Sequence, residues 1–301
     1  MNKPGKRLLW IGLAVVAAAA QLGAAGAAHA DDAATPGKSL VVLGDSMAAN
    51  VPYEWHTGGT ICNHGATSWP NQLSTRLGTG PDDFVDESCT GATIDSGQDY
   101  TLTVQARAAA AADAFGPQTK MVALQFGLND TWRDGEPNPY SQVFVNCAIT
   151  AGLLCSNDDQ SWVTDDHGLN GSHYADKVRK VVQYMRYYAP AAKIVLVGYP
   201  QEFVPGQNTL CVDLGPVQIQ EHNGAVAGYF DRLEAAQRDA AQLLGVEYLD
   251  VRALNAGHEE CATDPWVQTF DLPDVGLPLV LHPRPQLETA VSEALAAEVA
   301  G

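Results

Sequence analysis

The sequence predicts an α/β fold: a three-layer α/β/α sandwich around a central parallel sheet. Short apolar, β-branched runs recur, most of them stopping at a glycine, and segments with helical periodicity lie between them. Runs that are apolar throughout, rather than alternating, indicate strands buried on both faces. Strand–helix alternation indicates parallel neighbours whose connecting helices cover the sheet.

Taken in order, a loose start over residues 31–37 leads into a first strand over 39–43 (Ser-Leu-Val-Val-Leu), which ends at Gly44. An alanine-rich helix follows over 101–115. A second strand, 121–126, stops before Gly127, and a third, 194–197, stops before Gly198. Between them, Val178, Val181, Val182 and Met185 fall at helical spacing within 174–188. A helix over 223–244, a weaker strand over 246–249 and a last helix over 287–299 complete the pattern. Residues 131–171 depart from it. They are rich in Asn, Asp, Gly and Ser and read as a long surface excursion of the kind that shapes binding sites.

The first thirty residues read as a secretion leader. Lys3, Lys6 and Arg7 precede an apolar run over 8–20, and Ala28-His29-Ala30 supplies the small side chains of a cleavage site. The run is short for a membrane span, which needs roughly twenty residues. Cleavage after Ala30 leaves residues 31–301 as one domain, with 14 basic residues (17 less three) against 35 acidic ones, a net −21. Such a charge excludes nucleic acid and anionic membrane surfaces as partners and fits a soluble extracellular protein, with a monomer as the expected state.

Six cysteines follow the leader: Cys62, Cys89, Cys147, Cys155, Cys211 and Cys261. An even number in a secreted chain, without Cys-x-x-Cys spacing, reads as disulfides rather than metal ligands. Six cysteines allow 15 pairings. Pairing in chain order is the simplest, and the residues alone do not choose it.

Reactive groups in parallel α/β sheets gather beyond the carboxyl ends of the strands. Ser46, in Gly44-Asp45-Ser46-Met47, stands where the first strand ends; alone it reads more readily as a helix cap than as a nucleophile. The Gly-x-Ser-x-Gly elbow of another hydrolase fold is absent from the chain. Three further segments keep Ser46 company. Gly91, in Cys89-Thr90-Gly91, offers a backbone amide a ligand can approach. Asn129, in Gly127-Leu128-Asn129-Asp130, offers a carboxamide donor, and His282 lies just ahead of the last helix.

Ser, Gly, Asn and His, in this order in separate blocks, resemble the SGNH (GDSL) hydrolase family, which has a flavodoxin-like sandwich. The likeness extends to that family's secreted actinobacterial lipases and esterases, through Cys62 with Ser68-Trp69-Pro70, Cys89 before the glycine block, Gly198-Tyr199-Pro200, and Gly257-His258-Glu259-Glu260-Cys261. It spans nearly the whole mature chain. The resemblance implies the in-order disulfides Cys62–Cys89, Cys147–Cys155 and Cys211–Cys261. It also implies Ser46 as nucleophile, His282 as general base, and an oxyanion hole from the amides of Ser46 and Gly91 and the side chain of Asn129. No metal or cofactor is called for; the substrate expected is an ester or lipid.

One position departs from the family. Where many members carry an aspartate three residues before the histidine, this chain has Leu279. The main-chain carbonyl of Leu279 or Val280 is then expected to orient the imidazole, with Asp274 or Asp271 as the rival. Asp45 is read as bracing its turn. His56, His64 and His258 are expected to be structural or superficial; Trp55, Trp69 and Trp132 either line an acyl pocket or pack. The competing functions are a polysaccharide acetyl esterase and a non-catalytic glycan- or lipid-binding module.

Overall fold

The computed structural model describes residues 35–52, 62–97, 99–133, 138, 168–213, 218–222, 224–271 and 279–300. The first strand, β1 (Leu40–Gly44), runs into a four-residue helix, α1 (Ser46–Ala49). There follow α2 (Trp69–Leu77), β2 (Phe84–Asp86), α3 (Leu102–Ala111), β3 (Met121–Gln125), α4 (Gly171–Tyr188) and β4 (Lys193–Val197). Beyond these lie β5 (Thr209–Asp213), β6 (Gln218–His222), α5 (Gly224–Leu244), β7 (Glu247–Leu249), α6 (Val251–Leu254), β8 (Phe270–Asp271) and α7 (Pro285–Ala300).

The main sheet has the order β2-β1-β3-β4-β7, and every pairing in it is parallel. Side chains alternate between its two faces. Val41, Leu43, Val122, Leu124, Ile194 and Leu196 pack with residues of α3, α4 and α5. Leu40, Val42, Met121, Ala123, Val195 and Val197 pack on the opposite side with Trp69 and Leu73 of α2, Val251 of α6, and Leu287, Val291 and Leu295 of α7. These are the three layers the sequence predicts.

Some details differ. Helix α3 stops at Ala111 instead of reaching 115, because Asp113 turns into the left-handed region (φ 55°) just ahead of Gly116-Pro117. A second, three-stranded sheet of order β6-β5-β8 was not foreseen. Its strands carry Gln218, Gln220, Glu221 and His222, without the apolar continuity that marks the main sheet. Helix α2 was missed as well, although Ser68 stands at its N-cap and a proline lies within its first two positions, the usual signature of a helix start.

Disulfides join Cys62 to Cys89 and Cys211 to Cys261. Cys147 and Cys155, with nearly all of the 131–171 excursion, lie outside the described residues, as do the leader, His56, Trp55 and Asp274. No helix among the described residues is long and apolar enough to cross a membrane.

Candidate active site

The site begins where β1 runs out of sheet. The amide of Asp45 donates to the Gln125 carbonyl of β3 at 3.0 Å, extending the pairing by one residue. Gly44 must be glycine, because a Cβ there would meet Ala48 Cβ at 2.7 Å. Gln105 of α3 grips this glycine from both sides, its Oε1 accepting from the Gly44 amide and its Nε2 donating to the Gly44 carbonyl, each at 2.8 Å. Asp45 then caps α1, accepting from the Met47 amide at 2.9 Å, so its predicted role in bracing the turn holds. Ser46 is the first residue of this helix and is buried. At that position its amide has no acceptor within the helix.

The Gly91 and Asn129 segments are tied together. A turn closes from the Ala92 amide to the Cys89 carbonyl at 3.1 Å, and the Cys89 amide donates to the Gly44 carbonyl at 3.0 Å. Gly91 adopts φ 77°, while a Cβ would find nothing within 4 Å, so conformation rather than crowding requires glycine there. Asn129 Nδ2 donates to the Ala92 carbonyl at 3.1 Å. Next to it, buried Asp130 accepts from the Ile94 amide at 2.8 Å and from Ser96 Oγ at 3.0 Å.

A buried tyrosine links the same strand ends. Tyr199, just after β4, donates to Asp45 Oδ2 at 2.6 Å and accepts from the Leu128 amide at 3.0 Å. Burial pushes the Asp45 carboxyl up to about 7, despite the hydrogen bonds from Tyr199 and Met47 that pull it down. Burial likewise raises Asp130 to about 6, against the hydrogen bond from Ile94 and the nearby Lys177.

His282 is buried in the loop before α7. Its Nδ1 lies 2.9 Å from the Val280 carbonyl, while the Leu279 carbonyl accepts from the His282 backbone amide at 3.0 Å. Of the two carbonyls expected from the sequence, Val280's meets the ring. A carbonyl can only accept, so Nδ1 carries the hydrogen and the neutral ring is left with a basic Nε2. The loop is pinned by the pair Leu281 amide to Gln268 carbonyl (2.9 Å) and Gln268 amide to His282 carbonyl (2.8 Å). Leu281 is held at φ 60°, a conformation costing on the order of 1–3 kcal/mol outside glycine. Of the rival carboxylates, Asp274 is outside the described residues and the backbone of Asp271 lies in β8.

The remaining candidates have structural partners. His64 Nε2 is 3.0 Å from the Ser88 carbonyl, and His258 stacks on Trp266 at 4.0 Å. Trp69 and Trp132 are core residues: Trp69 donates its Nε1 to Gln125 Oε1, and Trp132 stacks on Tyr174 at 5.7 Å. The sequence reading missed the framework of Gln105, Gln125 and Tyr199. Only the Gly-Tyr-Pro motif drew attention to any of them.

The profile of the GDSL-like Lipase/Acylhydrolase family matches residues 42–287. Lipase 2 of Streptomyces coelicolor is 26% identical over 276 residues, covering 87% of this chain and 86% of that protein. Lipase 1 of the same organism is 25% identical over 268 residues, covering 88% and 87%. Among solved structures, phospholipase A1 of Streptomyces albidoflavus superposes with a TM-score of 0.62 at 20% identity, over 87% of this chain and 98% of that one. An extracellular lipase of Streptomyces rimosus gives 0.57 at 20% identity, over 88% and 100%. At that identity the two structures speak for the fold. With a family match across most of its length and that sandwich beneath it, the chain belongs to the GDSL-like lipase/acylhydrolase family, and it is an ester hydrolase.

Proposed function

We propose that this protein is a secreted esterase or lipase that cleaves carboxylic esters through an acyl-enzyme on Ser46, with His282 as general base. The observation that carries the proposal is the gathering of segments at one end of the sheet. Gly44 is hydrogen-bonded to Cys89, Asn129 to Ala92, and Pro283, the residue after His282, to Asn50 at the C-terminal end of α1.

Ser46 Oγ attacks the ester carbonyl carbon as its proton passes to His282 Nε2. The oxyanion that forms accepts hydrogen bonds from the amides of Ser46 and Gly91 and from Asn129 Nδ2. That nitrogen carries two hydrogens. Its bond to the Ala92 carbonyl occupies one and leaves the other for the oxyanion. Collapse of the intermediate breaks the bond to the alcohol, which leaves with the proton from Nε2. Water then attacks the acyl carbon, His282 takes its proton and returns it to Ser46, and the carboxylic acid departs. The Val280 carbonyl fixes the tautomer throughout and stabilises the imidazolium as a dipole rather than as a charge.

Ser46→Ala is expected to abolish turnover of p-nitrophenyl esters while leaving the circular dichroism and melting temperature intact. Activity retained in that variant would overturn the assignment. The leader over residues 1–30 and the two disulfides fit export to an oxidising compartment. N-terminal sequencing of protein from the culture medium should begin at Asp31, and an intact leader there would refute export by cleavage.

A further inference from the structure

We propose that Asn50 is a positioning residue whose side-chain amide fixes the His282 loop against the nucleophile helix. This rests on the reading of Ser46 and His282 as nucleophile and base. Asn50 is the left-handed C-cap of α1 (φ 35°, ψ 58°) and is buried. Asparagine tolerates that conformation, so the ordinary explanation of the residue is a backbone one. Its side chain goes further. Nδ2 donates to the Pro283 carbonyl at 2.8 Å and also to Glu288 Oε1. Both amide hydrogens are thus spent on the segment that carries His282 into α7.

Each end of this link is rigid. The Asn50 backbone amide donates to the Ser46 carbonyl at 2.8 Å, so the two residues are one turn apart on a single hydrogen bond. Pro283 follows His282 directly, and its ring fixes its own φ. On its far side the same loop is held by the bridge between Val267 and Pro283 and by the Arg284 amide donating to the Trp266 carbonyl at 2.8 Å. Glu288 is fully buried in the first turn of α7, and its second oxygen accepts from the Trp69 amide at the start of α2. Ser46, Asn50, Pro283 and His282 therefore form a continuous chain of bonds in which the Asn50 side-chain amide joins the nucleophile helix to the histidine loop. Releasing it lets the imidazole drift relative to Ser46. A displacement of about 1 Å in such a geometry can cost a hundredfold in rate.

The test compares the wild type with Asn50→Gly, which keeps the left-handed backbone and deletes the amide, and with Asn50→Asp, which keeps the shape and replaces the donor by an acceptor. In Asn50→Gly, kcat on p-nitrophenyl butyrate is expected to fall about ten- to hundredfold with KM within about threefold. Its proton NMR spectrum should show the His282 Nδ1–H resonance, assigned by its loss in His282→Ala, broadened or gone. A purely backbone role predicts wild-type kcat and an unchanged resonance in Asn50→Gly, and that result overturns the proposal. If Asn50→Gly does not fold, the same readings on folded Asn50→Asp decide the matter in the same way. Activity surviving in Ser46→Ala would instead bring down the catalytic reading, while the resonance would still report whether Asn50 holds the histidine.

Discussion

Asn129 donates one amide hydrogen to the Ala92 carbonyl at 3.1 Å, and the mechanism asks the other to meet an oxyanion that exists only during reaction. Removing such a donor typically costs about 10²–10³ in turnover and little in substrate binding. Asn129→Ala is therefore expected to lose kcat on that scale at nearly constant KM, measured by steady-state kinetics on a short-chain ester. An equal loss in KM would instead place Asn129 in ground-state binding. The sequence singles out Ser46, Gly91, Asn129 and His282 as candidates because each stands beyond a strand or before a helix, in a short recognisable block. It does not single out Gln105, Asn50 or Glu288, since their partners lie 61, 233 and 238 positions away and a polar residue inside a helix or at its end carries no local signal of what it will meet.

The elements divide in a similar way. β1 and β3 are buried at every residue and β4 at all but its first, and their unbroken apolar runs announced them. β2 and β7 lie at the sheet's edges, three residues long and only partly buried, so their sequences carry less of that signal. The small sheet of β5, β6 and β8 offered almost none. Position along the chain also hides what the Cys62–Cys89 bond does. It closes a loop of 27 residues onto the turn that carries Gly91. Replacing both cysteines by alanine is expected to cost about 2–4 kcal/mol of stability in urea denaturation. Because Cys89 is also hydrogen-bonded to Gly44, the same variant should lose kcat, and a stable variant with full activity would show the bond to be ornamental.

At the scale of the molecule, several carboxyls are held above their ordinary range, burial being the first cause in each: Asp45 to about 7, Asp130 to about 6, with Asp86, Glu202 and Glu288 also raised. In the folded state they keep protons that the unfolded chain gives up, so raising the pH favours unfolding. Their contribution is fully present below the ordinary carboxylate range. It is lost as pH rises toward about 7 for Asp45 and about 6 for Asp130, and likewise as pH rises through the raised values of Glu202 and Glu288. Asp83, lowered by its hydrogen bonds from Ser39, acts oppositely, and its contribution is lost only as pH falls through its folded value. The net charge, −18 for the whole sequence and −21 without residues 1–30, adds repulsion as carboxylates ionise. The melting temperature is accordingly expected to fall between about pH 5 and pH 8, and a rise over that window would show that the buried carboxyls do not govern stability. What joins this framework to its chemistry is the claim that Ser46 becomes acylated. The most direct measurement is peptide mapping by mass spectrometry after reaction with a p-nitrophenyl phosphonate ester, which a serine nucleophile attacks and retains. One adduct is expected, on the peptide containing Ser46, absent in Ser46→Ala and strongly slowed in His282→Ala. An adduct on any other residue, or inactivation with Ser46 unmodified, would contradict it.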